Sequence, residues 1–210
     1  MRDEPSEAKL TAVALNCTLK ATDAASSTDK LLHEVMAALA SEGVASDGII
    51  RLADEDVRAG VTSDEGPGDA WPAIRARILA AQILVLGTPI WLGHPSSYAQ
   101  RVLERLDAFL GEKADDGRLI SLDRVAIVAV VGNEDGAHHV AAELFQALND
   151  VGFTIPAASM TYWVGEAMHT TDYKDLPDGS DKTTAATKNA ARRAAHLARV
   201  LRSEPYPPDP

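Results

Sequence analysis

The sequence predicts an α/β protein: a single domain built on a five-stranded, doubly wound parallel sheet with helices on both faces. Apolar runs without charge occur at residues 83–86 and 125–131, and each leads into a loop that contains glycine. Runs rich in Val, Ile and Leu are typical of parallel strands that are covered on both faces. Strand-like and helix-like segments also alternate five times, which implies parallel strands joined by right-handed crossovers.

Five strand-like segments follow one another along the chain. Each is rich in apolar residues and bounded by turn residues, and they cover residues 9–15, 48–52, 83–88, 125–131 and 153–160. We expect the third to stop near Thr88, because Pro89 cannot donate to a strand ladder. The fifth is expected to be short or bent around Pro156.

Helical periodicity separates these strands. Apolar residues recur at helical spacing over 31–39, 71–81, 98–110, 140–148 and 182–201. The first helix has a natural N-cap in Ser26, Ser27 or Thr28. Residues 53–72 and 168–181 are polar and irregular, which predicts surface loops.

Composition and charge narrow the class of protein. With 210 residues and 46% hydrophobic content, the chain is long enough for one domain, expected over 9–202 between a flexible N-terminal tail (1–8) and a proline-rich C-terminal tail (203–210). The polar start and the lack of a long apolar run predict a cytoplasmic protein without membrane insertion. A formal net charge of −11 opposes binding to nucleic acid. The single cysteine, Cys17, is predicted to be a small core residue, and no metal site is predicted.

The loop after the first strand carries the chemistry of a phosphate site. In such sheets ligands bind beyond the carboxyl ends of the strands. This loop combines hydroxyl groups, one ammonium group and the start of a helix, which together suit a phosphate monoester; the groups belong to Thr18, Lys20, Thr22, Ser26, Ser27 and Thr28. No Gly-rich dinucleotide or P-loop signature is present. An ordinary capped loop is the alternative for this segment alone.

Two further loops can enclose a flat ring. Trp91 offers an aromatic wall, and Gly93 lets the backbone of the same loop come close. The glycine-bearing loop 132–136 would close the opposite side. The alternatives are that Trp91 packs under a surface loop and that Glu134 and Asp135 cap the following helix.

Four motifs in this order resemble the flavodoxin-like NAD(P)H-dependent FMN reductases. They are Asn-Cys-Thr-Leu-Lys, Gly-Thr-Pro-Ile-Trp-Leu-Gly-His-Pro-Ser, Gly-Asn-Glu-Asp-Gly-Ala-His-His and Thr-Tyr-Trp-Val-Gly-Glu-Ala, and the likeness covers residues 9–201. The resemblance implies a noncovalent FMN, NAD(P)H as co-substrate, a quinone-type or other small acceptor, and a homodimer or homotetramer. It also implies the cofactor-binding residues Thr18, Lys20, Ser26, Ser27, Thr28, Pro89, Ile90, Trp91, Leu92, Gly93, Gly132, Asn133, Glu134, Asp135 and Gly136. Lys20 stands where many relatives have arginine. A phosphate would therefore contact a single ammonium group instead of a guanidinium that can donate two parallel hydrogen bonds.

The function implied is that of an oxidoreductase that passes hydride from a nicotinamide through flavin N5 to a small acceptor. Such chemistry asks the protein for positioning, so no obligatory catalytic residue is named. His138 and His139 can deliver a proton or contact a pyridine-nucleotide phosphate, or they simply bond backbone and water at a helix start. Tyr162 and Trp163 can roof a cleft, form a subunit contact or pack in the core. A flavodoxin-type electron carrier and a nonenzymatic binding protein on the same fold are the alternative functions.

Overall fold

The computed structural model describes residues 9–167 and 169–208; the predicted tail 1–8 lies outside the described residues. The strands are β1 (Thr11–Asn16), β2 (Ala45–Arg51), β3 (Ile83–Trp91), β4 (His94–Pro95), β5 (Val125–Gly132) and β6 (Met160–Val164). The helices are α1 (Ser27–Ser41), α2 (Trp71–Ala80), α3 (Ser97–Leu106), α4 (Ala137–Asp150) and α5 (Asp181–Ser203). None of the helices in the described part of the chain is long and apolar enough to cross a membrane.

The sheet confirms the predicted fold class. Its order is β2-β1-β3-β5-β6 with every neighbouring pair parallel, while the two-residue β4 forms a hairpin with β3. The direction of winding reverses between β1 and β3. This reversal opens a crevice beyond the carboxyl ends of these strands, where ligands bind in sheets of this kind.

Two apolar cores lie on the two faces of the sheet. On one face α2, α3 and α4 contribute residues such as Ile78, Val102 and Leu144. On the other face Leu32 of α1 and a stripe of alanines that includes Ala194 of α5 pack on the alternate strand residues. Because both faces are covered, the strands can be apolar throughout, which explains the uncharged runs in the sequence.

Strand β3 runs through Pro89, contrary to the prediction that it ends near Thr88. Its pairing with β1 ends at Gly87, and only β5 accompanies it at Pro89. A proline that lacks a donor is tolerated where one side of the strand has no partner. The strand then turns back as a hairpin, with Ile90 opposite Pro95 and Trp91 opposite His94.

The last strand is also displaced from its predicted position. Residues 153–160 were predicted as a strand, but β6 covers Met160–Val164. Thr154 makes an isolated parallel bridge to Val125, and the chain then leaves the ladder around Pro156 and Ala158, whose φ is +50°. Pairing resumes at Met160, so Trp163 belongs to the strand and not to the loop after it.

Smaller differences concern element boundaries. Strand β2 begins at Ala45, before the predicted residue 48, because the ladder continues across a bulge opposite Ala12 and Val13. At that bulge Gly48 has a φ of +103°, a conformation that glycine adopts without strain. The helix predicted over 98–110 is α3 followed by a tighter turn at Asp107–Gly111.

A buried ion pair anchors the long loop between β2 and α2. The side chains of Arg105 on α3 and Asp69 are both fully buried, with 2.7 Å between Nη2 and Oδ2. Arg105 also donates to the carbonyl oxygens of Arg58 at 2.9 Å and Thr62 at 3.0 Å. Burial by itself would raise the pKa of Asp69, but hydrogen bonds from Arg105 and from backbone N–H groups outweigh it and hold the pKa at about 2.

The segment that follows α5 contacts the domain through Tyr206. Its backbone N–H donates to Asp123 at 2.8 Å, and its carbonyl accepts from Arg118 at 3.0 Å. The Thr154 hydroxyl donates to the Tyr206 hydroxyl oxygen at 3.1 Å. The division of the chain into tail, domain and tail stays a prediction.

Candidate functional site

A cleft of about 200 Å³ opens at the carboxyl ends of β1, β3 and β5. It brings together residues from three of the predicted loops and from the segment after β6. The predicted residues among its lining are Thr18, Lys20, Ser26, Ser27, Thr28, Pro89, Ile90, Trp91, Gly132, Asn133 and Glu134. Lys20 and Trp91 therefore lie at the same edge of the sheet, as one phosphorylated ring ligand would require.

The hydroxyl groups at one end of the cleft are oriented by backbone donors. Ser26 is the N-cap of α1, and its Oγ accepts from Asp29 N at 3.4 Å. Ser27 Oγ accepts from Lys174 N at 3.2 Å, and Thr18 Oγ1 accepts from Lys20 N at 3.4 Å. Because each oxygen accepts a bond here, its own O–H can donate to a further acceptor. Together with the positive end of the α1 dipole, these groups form an anion-binding arrangement.

An ionic network behind the loop holds it in shape. Asn16 accepts from Thr18 N at 3.1 Å and donates to Asp29 at 2.9 Å, while Arg51 pairs with Asp29 at 2.8 Å. Arg51 also donates to Ala21 O at 2.8 Å. The loop is thereby tied to both β1 and β2. The sequence analysis did not anticipate this network, because Asn16 and Arg51 end two different strands, Asp29 lies in α1, and the three share no motif.

Thr22 was predicted among the phosphate-binding hydroxyls, but in the structure its side chain bonds Asp54 and does not line the cleft. Its hydroxyl bonds the carboxylate of Asp54, and its N–H donates to the same carboxylate at 3.0 Å. These hydrogen bonds lower the pKa of Asp54. Thr22 is absent from the cleft lining, because the loop bends toward the end of β2.

Aromatic side chains also line the cleft. Trp91 keeps 55% of its surface exposed, whereas Ile90 beside it is buried. Trp163 lines the cleft from β6, and its ring centroid lies 5.4 Å from that of Tyr173. The structure therefore offers two indoles and one phenol around the space where a planar ring would lie.

The residues of the cleft lining outside the predicted cofactor-binding set are Leu19, Val131, Trp163, Asp172 and Tyr173. For Trp163 a place in the roof of a cleft is one of the three roles that the sequence left open, and the structure puts its side chain in the cleft lining. Tyr173 comes from the segment predicted to be irregular, where no periodicity signals a buried ring. Burial, and then its 2.5 Å hydrogen bond to Glu34, raise the pKa of Tyr173.

Several predicted residues do not line the cleft. Leu92 is 90% exposed at the tip of the β3–β4 hairpin. Gly93 and Gly136 meet each other: a Cβ on Gly136 would lie 2.9 Å from the Gly93 Cα. The remaining predicted residues outside the lining are Asp135, His138 and His139.

Both histidines at the start of α4 have other contacts. The His138 ring lies edge-on to Tyr162, with centroids 5.1 Å apart. His139 pairs with Glu143 at 2.7 Å. Tyr162 is half-buried against the core, so of the three roles considered for it the structure shows the packing contact. Cys17 is fully buried, which confirms the core prediction, and burial raises the pKa of its thiol.

The residues present fit a flavin mononucleotide. The hydroxyls and the Lys20 ammonium supply donors for a phosphate monoester. Glu134 lines the same cleft, and its Oε1 is buried without a hydrogen-bond partner among the described residues. The pyrimidine edge of a flavin carries an N–H donor, which such an acceptor can bind. An acceptor without a partner in the same cleft as a set of hydroxyl donors is the pattern expected of a site shaped around this ligand.

Comparison with known proteins decides the family. The profile of the NADPH-dependent FMN reductase family matches residues 10–169. This chain belongs to that family. The predicted resemblance is thereby confirmed, and the family is one of oxidoreductases that use FMN and NADPH.

This FMN reductase-family chain is similar to two curated proteins, and it spans a different share of the length of each. It is 36% identical over 201 residues to the divalent metal cation transporter MntH of Mycobacterium bovis, covering 92% of this chain but 29% of that protein. It is 30% identical over 210 residues to 8-demethyl-8-aminoriboflavin-5'-phosphate synthase of Streptomyces davaonensis, covering 95% of this chain and 81% of that protein. The chain thus spans less than a third of the length of the first relative.

Solved structures agree with the family fold. RosB, crystallised with bound 8-demethyl-8-formylriboflavin-5'-phosphate, superposes with a TM-score of 0.84 at 30% identity, over 94% of this chain and 82% of that one. A flavodoxin from the domain Archaea superposes with a TM-score of 0.55 at 9% identity, over 90% of this chain and 99% of that one. The second likeness concerns the fold alone, which is flavodoxin-like as predicted.

The unpaired Oε1 of Glu134 leads to a prediction about protein stability and FMN affinity. In Glu134→Gln we expect the flavin-free protein to gain about 1 kcal/mol of stability, because a buried charged acceptor without a donor is removed. We expect FMN affinity to fall about tenfold, since a neutral amide oxygen is a weaker acceptor than a carboxylate. Thermal melting and fluorescence-quenching titration measure the two effects. Asp135→Asn is the matched control, because the neighbouring acid does not line the cleft; equal behaviour of the two variants would contradict the assignment.

Proposed function

We propose that this protein is an FMN-dependent NAD(P)H oxidoreductase that transfers hydride from a nicotinamide through flavin N5 to a small acceptor. The observation that carries the proposal is one cleft lined both by donors for a phosphate and by two indoles. Bound FMN supplies the hydride-accepting and hydride-donating centre. The protein's contribution is to bind, orient and shield that group.

Each part of the cleft has a distinct task in this proposal. Thr18, Ser26 and Ser27 donate to the phosphate, whose charge the N-terminus of α1 and Lys20 balance. Trp91 lies at the exposed side and limits how a second planar molecule enters. Asn133 donates to His169 O at 2.9 Å, which ties the loop after β5 to the segment that carries Tyr173.

The decisive experiment is to titrate the purified full chain with FMN and then add NADPH without oxygen. We expect quenching of flavin fluorescence on binding, followed by bleaching of the flavin absorption band by NADPH. Binding without bleaching would favour the flavodoxin-type electron carrier. No binding of FMN would overturn the proposal and leave the nonenzymatic binding protein.

A second candidate is that the bound flavin phosphate is itself the substrate. The likeness to 8-demethyl-8-aminoriboflavin-5'-phosphate synthase favours it, because it extends over 95% of this chain at 30% identity. Mass spectrometry of the flavin after incubation distinguishes the two candidates. A flavin recovered unchanged after many NADPH turnovers supports the reductase, and a new flavin mass supports the modifying enzyme.

The aromatic wall provides a prediction with a matched control. Trp91→Ala should weaken FMN and riboflavin to the same extent, about tenfold, because stacking on the ring does not involve the phosphate. Leu92→Ala, which removes the next and even more exposed side chain, should leave both affinities unchanged. Fluorescence-quenching titrations with both flavins provide the test. Comparable losses in the two variants would mean that the hairpin acts only through its fold.

The proposal includes a cytoplasmic location, as suits an enzyme that consumes NAD(P)H, and a homodimer or homotetramer. Two large apolar side chains at the hairpin tip support self-association, since Trp91 is 55% and Leu92 90% exposed. Light scattering of the purified protein measures the oligomeric state. A monomer at all concentrations would contradict this part of the proposal alone.

A further inference from the structure

Two histidines and a glutamate converge outside the flavin cleft. His94 lies in β4 at the return of the hairpin, and His139 and Glu143 lie on α4. His94 Nδ1 is 3.0 Å and His139 Nε2 is 2.7 Å from Glu143 Oε1, and the three ligand atoms lie within 4.8 Å of one another. The sequence analysis predicted no metal site, and it had no signal for this one because His94 and Glu143 are 49 positions apart.

The backbone holds these three side chains in register. His139 and Glu143 are spaced i,i+4 on α4 and therefore project from one face of the helix. The hairpin is seated directly on the start of that helix, because Gly136, with φ +117°, leaves no room for a Cβ beside Gly93. His94 therefore faces α4 from a fixed distance, and its ring meets that of His139 edge-on with centroids 5.2 Å apart.

The donor set suits a borderline transition-metal dication. Without a metal, each imidazole can donate one N–H to the Glu143 carboxylate. A dication between them instead takes both nitrogens deprotonated, and two imidazoles with one carboxylate are ligands that zinc binds. The side chains of His94, His139 and Glu143 are 64%, 58% and 32% exposed, which leaves coordination positions for water. The acidic chain, with a formal net charge of −11, favours cations near its surface.

We propose that His94 Nδ1, His139 Nε2 and a Glu143 carboxylate oxygen bind a zinc-class dication at the junction of the hairpin and α4. Such an ion fastens the hairpin, and with it Trp91 of the flavin cleft, to the helix. Hard cations such as Mg²⁺ are excluded by the imidazole ligands. The proposal does not depend on the proposed reductase activity, because the three ligands lie outside the cleft lining.

The test is calorimetric titration of the chelator-treated full chain with Zn²⁺, together with the visible spectrum of the Co²⁺ form. We expect one equivalent of Zn²⁺ per chain, no competition by Mg²⁺, and an at least tenfold loss of affinity in His94→Ala, His139→Ala and Glu143→Gln. His196→Ala, an exposed histidine on α5, is the control and should bind as the unchanged protein does.

A second readout separates loss of ligands from loss of folding. Zn²⁺ should raise the melting temperature of the unchanged protein and of His196→Ala, but not that of His94→Ala/His139→Ala, whose circular dichroism should match the parent. Substoichiometric binding, or equal affinity in the ligand variants and the control, would overturn the proposal. FMN binding and NADPH oxidation are measured separately, so a failure of the reductase proposal leaves this result unaffected.

Discussion

Replacing Arg105 with methionine is expected to lower the free energy of unfolding by about 3–5 kcal/mol. The substitution keeps much of the apolar stem but leaves Asp69 as an uncompensated charge, although both side chains are fully buried. It also leaves the carbonyl oxygens of Arg58 and Thr62 without their donor. Urea unfolding followed by circular dichroism measures the loss.

Two variants test the cause of this effect. Arg101→Met removes a single bond from the same helix to the same loop, 2.9 Å to Val57 O, and should cost about 1 kcal/mol. Asp69→Asn combined with Arg105→Met should recover part of the stability, because no buried charge remains. An Arg105→Met variant as stable as Arg101→Met would show that the ion pair contributes little.

The same pair predicts a pH dependence with a definite sign. The pKa of Asp69 is about 2 in the folded protein, below its ordinary value of 3.8, so its ionised form stabilises the fold. This contribution is complete above about pH 4 and is lost as the pH falls through about 2. The contribution of Asp69 to the free energy of unfolding should therefore be constant from pH 7 to pH 5 and decline below about pH 4. Urea unfolding of the unchanged protein and of Asp69→Asn, which lacks the titrating group, measures this contribution at each pH.

Replacing Lys20 with alanine is expected to weaken FMN binding about 10- to 100-fold while leaving riboflavin binding unchanged. A bond from an ammonium to a phosphate contributes about 1.5–3 kcal/mol, and riboflavin has no phosphate to accept it. In the structure Lys20 Nζ donates to Ala25 O at 3.4 Å, so it lies near the other donors of the phosphate end. Fluorescence-quenching titrations with the two flavins measure the difference.

Lys188→Ala serves as the control for this prediction, because it removes an exposed lysine on α5 that does not line the cleft. It accounts for the general loss of one positive charge. An equal loss for FMN and riboflavin in Lys20→Ala would indicate a disturbed loop, and no loss for either would place the phosphate elsewhere. Lys20→Arg should bind FMN at least as tightly as the unchanged protein, since a guanidinium can bond two phosphate oxygens.

The fold could be predicted because its signals are local. The uncharged runs of β3 and β5 identify strands buried on both faces, and the hydroxyl residues 26–28 mark the beginning of α1, with Ser26 as the N-cap in the structure. Cap chemistry and apolar periodicity depend on neighbours within a few residues, so the sequence expresses them directly. The strand-end rule then brought the first, third and fourth loops to one cleft.

The predictions were wrong at residues whose conformation or hydrogen bonding depends on partners far away in the sequence. Pro89 remains in a strand because β1 has already ended beside it, which the local sequence does not show. Trp163 joins β6 because pairing with β5 resumes after the break around Pro156. Thr22 is drawn away from the cleft by Asp54, a residue 32 positions later.

The sequence by itself determined the order of strands and helices, the covered faces of the sheet and the family of this protein. Only the tertiary structure decided which polar groups have partners. It joined Asp69 to Arg105, left Glu134 Oε1 unpaired in the cleft, and gathered His94 and His139 on Glu143. The physical reason is the sequence separation of the interacting residues. Apolar periodicity and helix capping depend on residues within one turn or strand. The side-chain hydrogen bonds and the metal-ligand cluster join residues that only the folded chain brings together.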